Sequence, residues 1–125
     1  MNITGVSCPF CACEERLCSN ALAYARFDKF PVNRGHVLIM PLRHVADFFE
    51  TTPEEKQAML NLLEDAKALL DAQFHPDGYN FGVKFGEAAG QTIFHVHLHL
   101  IPRYRGDVEH PRGGVRGVIP SQQNY

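Results

Sequence analysis

Three histidines alternate with apolar residues in Phe94-His95-Val96-His97-Leu98-His99-Leu100-Ile101, and this run constrains the fold more than any other part of the chain. Side chains of an extended strand point to opposite faces in turn, so one face would carry His95, His97 and His99, spaced ~7 Å apart. The other face would carry Phe94, Val96, Leu98 and Leu100, which need an apolar layer to cover them. Buried imidazoles require partners, and accessible ones make a polyvalent nitrogen site. A lone histidine is most often an ordinary core residue with its hydrogen bonds satisfied. Three in alternation, with His36 opening another β-prone run, favour chemistry instead. Imidazole suits metal ligation, or acid–base and nucleophilic work near neutral pH.

The covering layer is predicted after Thr52. Thr52 and Glu55 have capping-box spacing, and Pro53 occupies a first-turn position where its missing N–H costs nothing. Ala58, Met59, Leu62, Leu63, Ala66, Leu69, Leu70 and Phe74 then fall on one helical stripe, closed by His75-Pro76-Asp77-Gly78. This stripe is a core face. Alternation and turn residues predict strands over 22–27, 36–40, 79–85 and 92–102, with a brief helix over 43–50. Strands, one long amphipathic helix and then strands predict an α+β fold with a mostly antiparallel sheet on the helix. No linker or repeat divides the chain, so 1–125 reads as one domain with a Cys-rich lead-in (1–20) and a C-terminal tail (106–125).

Twelve basic against fourteen acidic residues give a net charge of −2, so no bulk positive field argues for nucleic acid. The tail is locally basic, with Arg103, Arg105, Arg112 and Arg116 against Asp107 and Glu109. No run approaches the ~18 apolar residues of a membrane span, and the first residues do not read as a signal peptide. The expectation is a cytoplasmic protein with reduced thiols. Its four cysteines, Cys8, Cys11, Cys13 and Cys18, crowd into one short segment, unlike a disulfide framework. Cys8 and Cys11 form a C-x-x-C that can place two thiolates on one zinc, or remain a pair of plain thiols.

The glycine-rich stretch Gly86-Glu87-Ala88-Ala89-Gly90-Gln91-Thr92 precedes the histidines. Alone it is a turn; beside three histidines it suits phosphate, because its backbone N–H groups and polar side chains can meet anionic oxygens. Together, Gly90-Gln91-Thr92-Ile93-Phe94-His95-Val96-His97-Leu98-His99 and Gly35-His36-Val37-Leu38-Ile39-Met40-Pro41 resemble the histidine triad superfamily of nucleotide hydrolases and transferases, in particular its bacterial diadenosine-polyphosphate hydrolase type. The resemblance runs from Cys8 to about Arg105.

That resemblance implies a five-stranded sheet and a set of roles. His97 would attack the α-phosphorus and carry a nucleotidyl group, with its second ring nitrogen held by the main-chain carbonyl of His95. His99 would contact phosphate oxygens and assist the leaving group, and His36 would buttress the triad. Gln91 and Thr92 fall at phosphate-contacting positions, Asp28 where a ribose contact is expected, and Phe27 near the base. Asp28 reads equally as a turn residue, and Phe27 as core. Lys84 stands where relatives carry Asn; it reads either as a cation for the polyphosphate or as a solvated side chain. Relatives complete the Cys8–Cys11 pair with residues matching His44 and His95, a structural zinc site, and a divalent cation such as Mg would accompany the substrate. They are usually homodimers. Two other readings compete with this hydrolase of dinucleoside polyphosphates or nucleoside phosphoramidates. One is a metal-dependent oxygenase held by the histidines; the other is a non-catalytic, zinc-stapled nucleotide-binding module.

Overall fold

A computed structural model describes residues 8–125; the first seven residues of the expected lead-in lie outside the described residues. Five strands form one sheet: β1 (Cys18–Ser19), β2 (Ala23–Phe27), β3 (Val37–Pro41), β4 (Gly78–Val83) and β5 (Leu98–Arg103). Their order is β1-β2-β3-β5-β4, and every neighbouring pair is antiparallel. One long helix, α1 (Pro53–Phe74), lies across one face. The α+β architecture with a five-stranded antiparallel sheet is therefore present.

The ends of α1 follow from its sequence. Thr52 accepts from the Glu55 N–H at 3.0 Å while the Glu55 carboxylate accepts from the Thr52 N–H at 2.8 Å, so two otherwise orphaned donors are satisfied. His75 ends the helix in the left-handed region (φ 51°), ahead of Pro76. Ala58, Met59, Leu62, Ala66 and Leu70 are buried against Ala23 and Ala25 of β2, Val37 and Ile39 of β3, and Leu98 and Leu100 of β5. Across the sheet, Tyr24, Leu38 and Met40 pack under Cys8, Phe10 and Cys13 of the N-terminal segment. Each face thus has its own apolar cover, and the histidines sit on the side away from α1.

Several expected elements are shorter than the pattern implies. Strand 92–102 begins only at Leu98, because the ladder is diverted before it: the Val96 N–H donates to the Val45 carbonyl at 2.7 Å. The Pro41 carbonyl is meanwhile taken up by His95 Nε2 at 2.7 Å. Hence only Leu98 and Leu100 of the expected apolar face reach the helix, and Phe94 is left exposed. The helix expected over 43–50 reduces to a single 3-10 turn at Phe48–Glu50, capped by Asp47. The Val45 and Ala46 carbonyls, which a helix would need, are spent on Val96 and on the Gln91 side chain. The strand expected over 79–85 ends at Val83. Strand β1 has two residues, too few for alternation to reveal. Among the described residues no helix is long and apolar enough to cross a membrane.

Candidate functional site

Backbone groups decide where each histidine keeps its proton. A backbone N–H can only donate, so the 3.0 Å contact from Val32 N makes His36 Nδ1 an acceptor. Neutral His36 then carries its proton on Nε2, which lies 2.9 Å from His99 Nδ1. His99 Nδ1 accepts that proton's bond, and His99 keeps its own proton on Nε2. A carbonyl can only accept, so the His95 carbonyl, 2.9 Å from His97 Nδ1, places a proton there. His97 Nε2 is left with an unshared pair and no hydrogen bond among the described residues. By the same argument the Pro41 carbonyl fixes the proton of His95 on Nε2 and leaves its Nδ1 pair free.

Burial keeps these rings neutral. Desolvation pushes the pKa of His36, His95 and His97 below the ordinary imidazole value. His99 is pushed down to about 4, first by desolvation and then by the charges of His97, His36 and Lys84. A neutral His97 is the nucleophilic form. His99 Nε2 is buried with no hydrogen-bond partner, so a donor is held unsatisfied beside the nucleophile. The rings of His97 and His99 lie 5.1 Å apart.

The remaining expected site residues divide. Asp28 makes the turn of one reading, its Oδ1 accepting from the Phe30 N–H at 2.9 Å, and its Oδ2 lies 3.5 Å from His36 Nε2, which brings it beside the histidines. Phe27 is not brought to the histidines; β2 alternation sets it with Ala23 and Ala25 on the helix face, where it meets the Phe74 ring. Phe10 takes the aromatic place instead, its ring 4.9 Å from that of His97. Its one sequence signal was an apolar residue inside the C-x-x-C. Gln91 is buried and engaged with the protein: Oε1 accepts from the Gly86 N–H at 2.7 Å, and Nε2 donates to the Ala46 and Ile93 carbonyls at 3.0 and 3.2 Å. It ties a turn that Gly86 (φ 91°) and Gly90 (φ 93°) make in the left-handed region. Thr92 is exposed, and Lys84 borders the same cavity as His99.

Cys8, Cys11, His44 and His95 converge as a second cluster, their ligand atoms all within 4.8 Å of one another. Cys11 Sγ lies 3.1 Å from His44 Nδ1, and both sulfurs lie 3.5 Å from His95 Nδ1. A tetrahedral zinc with usual bond lengths has S···N edges of ~3.5 Å, so the spacing fits. His95 also points its unprotonated nitrogen at the thiols, as a ligand must. Cys13 lies outside this set, its sulfur taking a bond from Arg26 Nη1 at 3.2 Å. Asp28, His36 and His99 form another close group. Here the Val32 N–H works against a metal, since ligation through His36 Nε2 would move the ring proton onto Nδ1, where it would oppose that donor. A histidine-held oxygenase metal at this group would therefore have to break the Val32 N–H bond to His36 Nδ1.

Comparison with known proteins places the arrangement. Residues 13–106 match the family model described as HIT domain. An uncharacterized HIT-like protein of Mycoplasma genitalium, MG132, is 36% identical over 107 residues, 81% of this chain and 76% of that protein. The bis(5'-adenosyl)-triphosphatase of Dictyostelium discoideum is 36% identical over 88 residues, 70% of this chain and 59% of that protein. The crystal structure of a Zn-bound histidine triad family protein from Mycobacterium smegmatis superposes with a TM-score of 0.73 at 34% identity, covering 81% of this chain and 78% of that one. The matched span contains β1 to β5, His36, His44 and the alternating histidines, and the chain is a member of the HIT domain family.

Proposed function

We propose that the chain is a nucleotide hydrolase or nucleotidyl transferase that works through a covalent intermediate on His97. The observation carrying this reading is the Nδ1 of His97 set 2.9 Å from the His95 carbonyl, which leaves Nε2 its unshared pair. His97 Nε2 attacks the α-phosphorus, the P–O bond to the leaving phosphate breaks, and that oxygen departs with the electron pair. The imidazolium so formed keeps its Nδ1 proton on the His95 carbonyl, which grows stronger as an acceptor partner when the ring is charged. Water then attacks phosphorus and loses a proton, the N–P bond breaks, and its pair returns to Nε2. His99 Nε2–H donates to a phosphoryl oxygen in both steps, which gives its unpartnered donor a use.

In this reading Asp28 accepts from ribose hydroxyls, and the base of the transferred nucleoside is assigned to the cleft of about 130 Å³ lined by Phe10, Leu38, Ile93 and Lys29. Gln91 acts by holding the loop, while the Thr92 hydroxyl stays available to phosphate. Cys8, Cys11, His44 and His95 would hold a zinc ion; with four protein ligands its contribution is structural, anchoring the N-terminal segment to His95, two residues before the nucleophile. The similarities to a protein named as a bis(5'-adenosyl)-triphosphatase and to a Zn-bound structure support these readings. A homodimer is supported by the outer edge of β4, which among the described residues pairs with no strand.

His97→Ala tests the proposal on diadenosine polyphosphate and adenosine phosphoramidate. The expected kcat loss is about a thousandfold or more, with nucleotide affinity held within about threefold. A variant turning over near the wild-type rate contradicts the mechanism, and a wild type that binds nucleotide without turnover identifies the non-catalytic module.

A further inference from the structure

Apart from the histidines, two charged side chains are buried among the described residues, Glu55 and Arg26. Glu55 has the Arg43 guanidinium against it at 2.8 Å. Arg26 is only 6% exposed, yet no described carboxylate lies within 4 Å of it. Its position follows from alternation on β2: Ala23 and Ala25 take the helix face, so Tyr24 and Arg26 face the N-terminal segment. There Arg26 donates through Nε to the Phe27 carbonyl and through Nη1 to the Cys13 sulfur, both at 3.2 Å. Its Nη2 makes no hydrogen bond among the described residues. These contacts satisfy donors, but they bring no carboxylate to a charge held out of water.

A second guanidinium is held at the same place. Arg16 donates through Nε to the Cys13 carbonyl at 3.4 Å, and its Cζ stands 4.4 Å from the centre of the Tyr24 ring. Both arginines are close enough for their charges to act on the Tyr24 hydroxyl. They border one cavity of about 460 Å³, which opens beside β2 beyond its last pair with β1, Ala25 with Cys18. Lys29 adds an ammonium to the lining, and neither it nor Arg16 has a described carboxylate within 4 Å. Two acids share the border. Asp28 gives its oxygens to the Phe30 N–H and the His36 side, and Glu15 is exposed without an ion pair. Three like charges around one opening repel each other, and a counter-ion among them would turn that cost into attraction.

We propose that this cavity is a second anion site, apart from the histidines, which takes a phosphate dianion between Arg16, Arg26 and Lys29. The ligand is inorganic phosphate or the phosphate of a small monoester. The two guanidiniums offer planar forks to its oxygens, and Lys29 closes the outer side as a mobile point charge. A tetrahedral ion suits such a set, since its oxygens accept from several directions at once. Arg16 and Cys13 belong to the N-terminal segment and Arg26 to β2, so an anion held by both arginines joins the two. That segment also carries Phe10 and the Cys8–Cys11 pair, and filling the site therefore stabilises the cover over this face of the sheet. The site does not depend on the nucleotidyl-transfer reading.

Phosphate could also reach the histidines, so the readout is placed on the arginines. Nitrogen-15-labelled protein is titrated with inorganic phosphate, and separately with glycerol 3-phosphate, at constant ionic strength with chloride as the reference. The Nε–H signals of Arg16 and Arg26 are expected to move together and to saturate, and Tm to rise with phosphate but not with chloride. The tighter of the two probes names the source of the phosphate. Arg16→Gln changes an exposed side chain and should weaken this binding about tenfold or more while the protein stays folded. Arg26→Gln should abolish it, but the wild-type titration and Arg16→Gln decide the matter even if that buried variant does not fold. Arginine signals that stay still at ~20 mM phosphate, or that chloride moves equally, overturn the proposal. So does an Arg16→Gln variant that binds phosphate as the wild type does, which would place the ion at the histidines.

Discussion

Glu55→Ala removes a side chain that joins the start of α1 to the segment supplying Pro41 and His44. Glu55 is only 4% exposed, and its carboxylate accepts from the Thr52 N–H at 2.8 Å and from Arg43 Nη2 and Nε at 2.8 and 3.0 Å. The bond to Thr52 is charge-assisted and largely buried, a class with a net contribution of about 2 kcal/mol. The Arg43 side chain is half exposed, so water screens that pair and its contribution is counted as nil. In a domain of this size about 2 kcal/mol lowers Tm by about 8 °C. Glu55→Gln keeps an acceptor for the Thr52 N–H and should lose about half as much. Calorimetric or circular-dichroism melting of the three proteins at pH 7 provides the comparison. A Glu55→Ala shift under about 2 °C, or a Gln variant as damaged as the Ala variant, refutes the reasoning that places the energy in the cap.

Acidification should destabilise the fold through His99. Its folded pKa of about 4 lies below the ordinary value of 6.5, with His97, His36, Lys84 and Asp28 as the charged or titratable groups acting on it. The unfolded chain therefore binds a proton between these values that the folded chain refuses. Stability is full above pH 6.5 and falls toward pH 4, by up to about 1.4 kcal/mol per pH unit for this group. Urea unfolding at pH 7.5, 6 and 5 reads the slope; His99→Gln should flatten it, and a wild type that gains stability on acidification contradicts the burial argument. Metal analysis should find about one zinc per chain, with chelation lowering Tm and Cys11→Ser reproducing the loss. Metal-free protein with an unchanged melt would leave the cluster as thiols and imidazoles alone.

Legibility in the sequence followed the range of the interactions. Helix α1 could be read because Thr52, Pro53, Glu55 and the apolar stripe are local signals, and each acts within a few residues. The path of residues 92–97 could not be read, because it is decided by the Val45 and Pro41 carbonyls some fifty residues away. Alternation placed the three histidines on one strand face, whereas only His99 lies in a strand and His95 turns toward the cysteines. The tautomers were hidden for the same reason: the Val32 N–H and the His95 carbonyl assign them, and no side-chain pattern records a backbone direction. Asp28 was open between turn and site because its two oxygens face different neighbours, the local Phe30 N–H and the His36 ring. Gln91 entered as a phosphate contact through the resemblance alone, and nothing local could show the Ala46 carbonyl beside its amide.

The central claim is that His97 holds its proton on Nδ1 and presents a bare Nε2 at neutral pH. Nitrogen-15 NMR of histidine-labelled protein at pH 7, with the ring resonances assigned through His97→Gln, measures this directly. The expected spectrum shows His97 neutral, protonated on Nδ1 and unprotonated on Nε2, while His36 and His99 carry their protons on Nε2. A His97 ring protonated on Nε2, whether as the other tautomer or as the imidazolium, would contradict the account.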